Sequence, residues 1–146
     1  MNQTLLEKLN IYLANQQVMY IKLHNLHWYV KGRSFFALHA KLEELYEQTA
    51  TILDDVAERL LALGGSPVAS MKKALALTAV KEYDDAPIAA EDAVKALIND
   101  VEYWIKDTQE IIGLAEADSD AATADQFTGY LGEYQKLLWM LKAFLG

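Results

Sequence analysis

The sequence predicts an all-α fold, a four-helix bundle with one long crossover between its second and third helices. Three observations support this prediction. Apolar residues recur every three or four positions through four long segments, as one buried helical face requires. No segment shows the convincing alternation that is typical of a strand. The two prolines, Pro67 and Pro87, bracket a single connection and leave the helical segments uninterrupted.

The predicted helices follow one another with short breaks, except for one long connection. The first helix is expected from about residue 5 to 30 and the second from about 35 to 63. Residues 64–88 form the crossover, with a short helical turn around Met71–Leu77. The third helix is expected from about 89 to 115 and the fourth from about 121 to 144. Four long helices with one long connection are typical of ferritin-like topologies.

Local signals place several of the helix ends. Thr4, with Glu7 three positions later, is typical of a capping box at the start of the first helix. Ser34 is expected to cap the second helix after the break at residues 31–34. Gly64 and Gly65 are expected to end it, because glycine readily adopts the conformation that closes a helix.

The apolar spacing also predicts which side chains face the core. In the second helix these are Leu38, Leu42, Leu45, Ile52, Val56 and Leu60. In the third they are Val94, Leu97, Val101, Trp104, Ile105 and Ile111. In the fourth they are Phe127, Tyr130, Leu131, Tyr134, Leu138 and Leu141. Trp28 and Trp139 are also expected mostly in the core, given their apolar neighbours.

Composition and charge restrict the class of protein. A chain of 146 residues, of which 53% are hydrophobic, is the size of one domain, and we expect one domain over residues 1–146. There are no cysteines, which excludes disulfides and thiolate chemistry. No signal peptide and no apolar run of about 20 residues is evident, so a cytoplasmic location without a membrane span is expected. The net charge of −8 attracts cations and repels nucleic acid.

The second helix carries a stripe of possible metal ligands beside its apolar face. At about 100° per residue, His39, Glu43, Asp54 and Glu58 fall within one sector of roughly 100°. Small and apolar residues share this sector, which indicates a contact surface and not an ordinary solvated face. The chain has no Glu-x-x-His pair, the signature of a di-iron site closed within one bundle.

The spacing along this stripe predicts a site shared between two subunits. His39 and Asp54 are 15 residues apart, about 22 Å along a helix, and no single metal spans that distance. If two copies of the helix pack antiparallel about a two-fold axis, His39 and Glu43 of one face Asp54 and Glu58 of the other, giving two sites per dimer. His27 of the first helix can add a second imidazole. Mixed imidazole and carboxylate donors favour iron, although zinc or cobalt could also bind.

Several sequence segments closely resemble the Dps family, the DNA-binding proteins from starved cells or mini-ferritins. They are Leu-His-Asn-Leu-His-Trp-Tyr-Val-Lys-Gly at 23–32, Phe-Phe-Ala-Leu-His at 35–39, Asp-Asp-Val-Ala-Glu-Arg at 54–59, Leu-Gly-Gly-Ser-Pro at 63–67 and Leu-Trp-Met-Leu-Lys-Ala-Phe-Leu-Gly at 138–146. The resemblance covers nearly the whole chain. The His-Trp pair, the second histidine twelve residues later and the Asp-x-x-Ala-Glu-Arg segment are its most specific parts.

The resemblance implies an iron-oxidising, iron-storing shell. In that family, twelve subunits enclose a cavity and ferroxidase centres lie at two-fold interfaces. Ferrous iron is oxidised there, preferentially by hydrogen peroxide, and the ferric mineral stays inside, which limits oxidative damage. By resemblance, His27 and His39 come from one subunit and Asp54 and Glu58 from its partner.

The sequence departs from the family pattern at two points. The family usually has Asp where this chain has Glu43, which is one methylene longer. The longer side chain could ligate iron directly instead of through a water molecule. It could also change the occupancy of the second iron position, and both alternatives remain open. Family members that bind DNA strongly often use a mobile lysine-rich tail, and none is evident here. With a net charge of −8, we therefore expect weak or no DNA binding.

Other charged residues allow both a structural and a functional interpretation. Asp118, Asp120 and Asp125 surround the joint between the third and fourth helices. They could line an iron-entry pore at a three-fold axis, as the family's acidic pores do. Alternatively, Asp120 could cap the fourth helix and Asp125 could stabilise its positive N-terminal end. Glu44 and Glu47 could seed mineral or be solvated charges. We expect His24, one turn from His27, to be a packed or hydrogen-bonded histidine and not a ligand.

Two other functions compete with ferroxidase activity and iron storage. The first is a DNA-compacting nucleoid protein with little iron chemistry, which strong, salt-sensitive retardation in a gel-shift assay would support. The second is a surface-active or immunomodulatory assembly that shares only the fold, since fold alone does not fix function. The complete ligand set favours the iron chemistry over both.

Overall fold

The computed structural model describes residues 3–146. In chain order the elements are α1 (Gln3–Tyr29), β1 (Val30–Lys31), α2 (Phe35–Ala62), α3 (Met71–Leu77), β2 (Ile88–Ala89), α4 (Ala90–Ala117) and α5 (Ala121–Leu145). The four predicted long helices are therefore α1, α2, α4 and α5, and each end lies within a few residues of its predicted position. The short helix α3 has the bounds that the sequence predicted for the crossover.

Two of the predicted caps are wrong. The helix α1 already includes Gln3, so Thr4 lies inside it and does not cap it. A Thr with Glu three positions later fits a helix interior as well as a capping box, which explains the error. Ser34 precedes α2 with φ 63° and makes no side-chain cap; a capping serine usually has an extended backbone, and this one is left-handed. Its carbonyl still accepts from the Leu38 N–H at 2.9 Å.

A parallel strand pair joins the end of α1 to the end of the crossover. Val30 pairs with Ile88 and Lys31 with Ala89. No strand was predicted from the sequence. A pair of two residues per strand is too short to alternate, and its hydrogen bonds depend on a partner 58 positions away in the chain. The pair fixes the position at which the chain leaves α1, one residue after its last turn.

A residue with a left-handed backbone ends each of α2 and α4. For α2 this confirms the prediction that Gly64 and Gly65 end the helix. Gly64 has φ 82°, and the Gly65 N–H donates to the Leu60 carbonyl at 2.8 Å, which is the long bond of a Schellman motif. In the same way Ser119 has φ 56° and the Asp120 N–H donates to the Ala115 carbonyl at 2.8 Å. A short polar side chain tolerates this conformation better than a branched one. In both helices a carbonyl group of the last turn is thus hydrogen-bonded before the chain changes direction.

The described chain divides into two compact units. One comprises residues up to Lys8 together with Val94–Gly146, and the other is Leu9–Ala93. The prediction of one domain over the whole chain stays a prediction. Within residues 3–146, no helix is long and apolar enough to cross a membrane.

The crossover in the Leu9–Ala93 unit is held by amide side chains of α1. Asn15 is fully buried, and its Oδ1 accepts from the Ala79 N–H at 2.7 Å and from the Thr78 hydroxyl at 2.8 Å. Asn10 Oδ1 accepts from the Val68 N–H at 2.8 Å, and the Gln17 amide donates to the Val68 carbonyl at 2.9 Å. These bonds satisfy backbone groups that the irregular crossover would otherwise leave unpaired.

Most of the predicted core residues are buried. All six predicted positions of α2 are buried, which confirms its apolar face. In α4, Ile105 is half-buried and the other five are buried. In α5, Phe127 and Leu141 are buried and the other four are half-buried. The prediction for Trp28 and Trp139 is wrong, because 69% and 67% of these residues are exposed in the single chain.

Candidate metal centre

Two histidines meet where α1 ends and α2 begins. His27 lies in the last turn of α1, and His39 lies in the second turn of α2. Their rings stack with centroids 3.7 Å apart and planes 12° apart. His27 Nδ1 lies 2.7 Å from the His39 carbonyl oxygen, and His39 Nδ1 lies 2.8 Å from the His27 carbonyl oxygen. The turn between the helices is short enough to allow this reciprocal pairing.

These hydrogen bonds fix the tautomer of both imidazoles. A carbonyl oxygen can only accept, so the Nδ1 of each ring must carry the hydrogen. In the neutral ring this leaves a lone pair on Nε2, the atom that can ligate a metal. Histidine ligands in proteins commonly donate their other ring N–H to a backbone carbonyl in this way. His27 is buried and His39 half-buried, so both rings are held by their surroundings.

Glu43 brings a carboxylate to this histidine pair. Its Oε1 lies 3.9 Å from His27 Nε2, and about half of its side chain is exposed. This separation is too long for a hydrogen bond, but it lies within the reach of two ligands at roughly 2.0–2.2 Å from one cation. Within the Leu9–Ala93 unit, His27 thus lies beside both the ring of His39 and the carboxylate of Glu43.

Tyr46, one turn after Glu43, contacts this candidate ligand, although the sequence did not single it out as part of the site. Its hydroxyl donates to Glu43 Oε1 at 3.5 Å, the long end of the hydrogen-bond range. Loss of solvent raises the pKa of Tyr46, and the negative charges of Glu43 and Glu47 add to this effect. The phenol therefore stays protonated at neutral pH and remains a donor. The spacing of three residues from Glu43 was the available signal, since such pairs are neighbours on a helix.

Asp54 and Glu58 form a second, separate carboxylate pair on α2. Both are exposed, and they are one helical turn apart. The negative charge of Asp54 raises the pKa of Glu58, and a hydrogen bond between the two carboxyl groups adds to it. Two negative charges this close repel each other, so a bound cation would stabilise the pair.

One chain does not bring the two ligand groups together. Across residues 3–146, no cluster of three or more His, Asp or Glu side chains is arranged to hold a metal ion. His39 and Asp54 lie 15 positions apart on the one continuous helix α2, about 22 Å apart along its axis. Glu43, Asp54 and Glu58 all remain exposed on α2. The described chain therefore presents two separate groups of possible metal ligands, and neither group completes a site by itself.

The remaining candidate residues mostly have structural contacts. His24 Nδ1 donates to the Tyr20 carbonyl at 2.8 Å, and its ring stacks on Tyr46, as expected for a packed histidine. Glu44 pairs with Lys41 at 3.1 Å on the exposed surface. A role for Glu44 and Glu47 in mineral formation stays a prediction.

The acidic residues between α4 and α5 include a helix cap. Asp120 Oδ1 accepts from the Thr123 N–H at 3.0 Å, which confirms the capping interpretation for this residue. Asp118 and Asp125 are exposed. A cap does not exclude a second role, so the iron-entry pore at these three residues stays a prediction.

Comparisons with known proteins identify the family. A family model described as the Ferritin-like domain matches residues 6–146. DNA protection during starvation protein 2 of Bacillus anthracis is 43% identical over 147 residues, covering 99% of each chain. The crystal structure of Dps from Staphylococcus aureus is 40% identical with a TM-score of 0.94, covering 99% of this chain and 97% of that one.

A further solved structure places the Dps proteins in a wider superfamily. The crystal structure of the Dps protein from Vibrio cholerae O1, described as a member of a broad superfamily of ferritin-like diiron-carboxylate proteins, is 35% identical. Its TM-score is 0.94, and the match covers 99% of this chain and 90% of that one. These matches confirm the all-α ferritin-like fold predicted from the helical periodicity. The chain belongs to the Dps family of ferritin-like proteins.

Proposed function

We propose that this protein oxidises ferrous iron at sites shared between two subunits and stores the ferric product in a closed shell. Each site takes His27, His39 and Glu43 from one subunit, together with Asp54 and Glu58 of the partner subunit. The observation that supports this most strongly is the reciprocal bonding of His27 and His39, which leaves both Nε2 atoms free to ligate. Imidazole with carboxylate donors suits iron, with zinc or cobalt as possible substitutes.

The two-fold arrangement follows from the two separate groups of possible ligands in the chain. In an antiparallel pair of these helices, the His27, His39 and Glu43 group of each subunit faces the exposed Asp54 and Glu58 pair of the other. Isologous contacts create two equal sites per dimer. Glu43, Asp54 and Glu58 are exposed in the single chain, so these carboxylates are available to face a partner subunit. The family relationship supports further assembly into a shell of twelve subunits.

The protein residues would act by binding and orienting the substrate iron. The carboxylates neutralise the charge of ferrous iron and stabilise the higher charge of the ferric product. Two ferrous ions each give one electron to one peroxide molecule, whose O–O bond breaks; two protons are taken up and two water molecules are released. Peroxide as the preferred oxidant, with oxygen as the alternative, follows from the family resemblance. The relatives' name, DNA protection, fits a protein that consumes iron and peroxide together.

Direct binding of DNA fits this chain less well than protection by iron chemistry. The formal charge of −8 on each subunit sums to a strongly negative shell. Phosphate contacts from lysine and arginine supply most of the nonspecific affinity for DNA. We therefore keep DNA compaction as the alternative function and propose that the protein protects DNA without strong binding.

An anaerobic titration of the purified assembly with ferrous iron, followed by addition of peroxide, tests the proposed function. We expect ferric absorbance to rise much faster than with free iron under the same conditions. We also expect the iron to co-elute with a large particle on a sizing column. Oxidation no faster than that of free iron, or ferric iron that leaves the particle, would contradict the proposal.

A further inference from the structure

The carboxylate of Glu43 faces two groups through the same oxygen atom. Its Oε1 lies 3.5 Å from the hydroxyl of Tyr46 and 3.9 Å from Nε2 of His27. The phenol is a hydrogen-bond donor, and the imidazole nitrogen is a possible metal ligand. The Glu43 oxygen can therefore accept a hydrogen bond from Tyr46 and can also bind the same cation as His27 Nε2.

The ring of Tyr46 is held by aromatic neighbours on several sides. The ring of His24 stacks on it, with centroids 3.8 Å apart and planes 23° apart. His27 meets it edge to face at 5.4 Å, and Tyr20 does so at 6.1 Å. His24 is itself fixed by its hydrogen bond to the Tyr20 carbonyl at 2.8 Å. The direction of the phenol hydroxyl is therefore set by packing.

Glu43 has no comparable support from packing. About half of its side chain is exposed, and three rotatable bonds give it many accessible rotamers. A flexible carboxylate must lose this freedom to bind a cation. A hydrogen bond from a fixed outer group reduces that loss, and such partners tune the affinity of metal ligands.

We propose that Tyr46 is a positioning residue, which holds the Glu43 carboxylate so that its Oε1 and His27 Nε2 can bind the same divalent cation. This inference rests on the proposed metal site, and it adds a residue from outside the ligand set. His24 supports the same arrangement indirectly, because its ring stacks against that of Tyr46.

Cobalt(II) binding to the assembled protein tests this inference without relying on catalysis. Its visible absorbance reports coordination and allows a titration. We expect Tyr46→Phe to weaken cobalt(II) binding at the position that includes His27 and Glu43 by about tenfold, the lower end for loss of an outer hydrogen bond. Tyr29→Phe is the matched control, since Tyr29 is half-buried like Tyr46 but lies outside the aromatic group that holds it, and this variant should leave the isotherm unchanged. Particle size and thermal midpoint should be unchanged in both variants.

A double-mutant cycle separates positioning of Glu43 from any other role of Tyr46. In a Glu43→Ala background, Tyr46→Phe should produce little further loss of cobalt(II) affinity, because the acceptor that the tyrosine hydroxyl positions is already gone. An unchanged isotherm for Tyr46→Phe, or an equal tenfold loss in the Glu43→Ala background, would overturn the inference. Absence of cobalt(II) binding by the wild-type assembly would instead count against the proposed metal site itself.

Discussion

Replacing both carboxylates of the second ligand pair, as Asp54→Asn with Glu58→Gln, should reduce the initial rate of iron oxidation by about a hundredfold or more. Loss of an outer-shell partner of a metal ligand alone costs about 10–100-fold, and these residues are proposed as direct ligands. The amides keep the shape of the side chains but remove their negative charge. Stopped-flow measurement of ferric absorbance after addition of peroxide gives the rate.

The fold of this double variant should be intact. Asp54 and Glu58 are exposed, and the negative charge of one raises the pKa of the other. Neutral amides remove this repulsion, so the thermal midpoint should not fall. Glu44→Gln with Asp55→Asn is the matched control, because it removes the same charge from exposed positions of the same helix and should oxidise iron within twofold of the normal rate. Normal oxidation by the Asp54 and Glu58 variant would show that the ligand assignment is wrong.

The second large effect concerns stability and lies away from the metal residues. Lys8 Nζ pairs with Asp107 Oδ1 at 2.5 Å and with Glu110 Oε2 at 2.9 Å. Only 2% of the Asp107 side chain is exposed. Lys8→Met keeps the apolar length of the side chain but leaves a buried carboxylate without its cation. We expect a loss of about 3 kcal/mol in the free energy of unfolding, near the lower end for a broken buried pair because Lys8 is partly exposed.

This loss should appear as a fall of about 6–12 °C in thermal midpoint at fixed protein concentration. Lys8→Met combined with Asp107→Leu should recover most of it, since replacing both members of a buried pair removes the uncompensated charge. Glu110→Gln is the control for the exposed arm of the pair and should change the midpoint little. An unchanged midpoint for Lys8→Met would contradict the role assigned to this ion pair.

The direction of the pH dependence follows from the pKa values of the pair. Burial raises the pKa of Asp107, and the Lys8 ammonium lowers it by less. A carboxyl whose pKa is raised in the folded state binds more protons folded than unfolded, so stability falls as pH rises through that range. Without Lys8, the pKa of Asp107 should rise further. The deficit of Lys8→Met should therefore be larger at pH 7 than in mildly acidic buffer.

The ammonium side of the pair behaves in the opposite range of pH. Desolvation tends to lower the pKa of Lys8, but its hydrogen bonds to Asp107 and Glu110 outweigh this and raise it. A lysine whose pKa is raised by folding stabilises the protein fully below its unfolded pKa of about 10.5 and loses this contribution as pH rises through the folded value. The two groups thus affect stability in separate ranges of pH.

The sequence predicted the helices well because their signals are local. Periodic apolar residues and the glycines after α2 depend on neighbours within a few positions, and their prediction was accurate. The pairing of Val30 with Ile88 depends on residues distant in the chain, so no local pattern indicated it. Ser34 has the residue type of a cap but a left-handed backbone, which composition does not reveal.

For the candidate site, too, the local features could be predicted from the sequence and the contacts between helices could not. Spacing along one helix was enough to predict that His39 and Asp54 cannot share a metal within a chain. The mutual bonding of His27 and His39 depends on the turn between two helices, so it could not be predicted from spacing within either helix. The apolar neighbours of Trp28 in the sequence predict a core position, but most of this residue is exposed in the single chain.

The most direct test of the shared site is complementation between two inactive variants. One carries His27→Gln with His39→Gln, and the other carries Asp54→Asn with Glu58→Gln. Coexpressed with different affinity tags and purified through both, they should form mixed particles in which half of the two-fold dimers contain one of each. Each mixed dimer regains one intact site, so iron oxidation should return to about a quarter of the wild-type rate. Mixed particles of normal size that oxidise iron no faster than either parent would contradict a site shared between subunits.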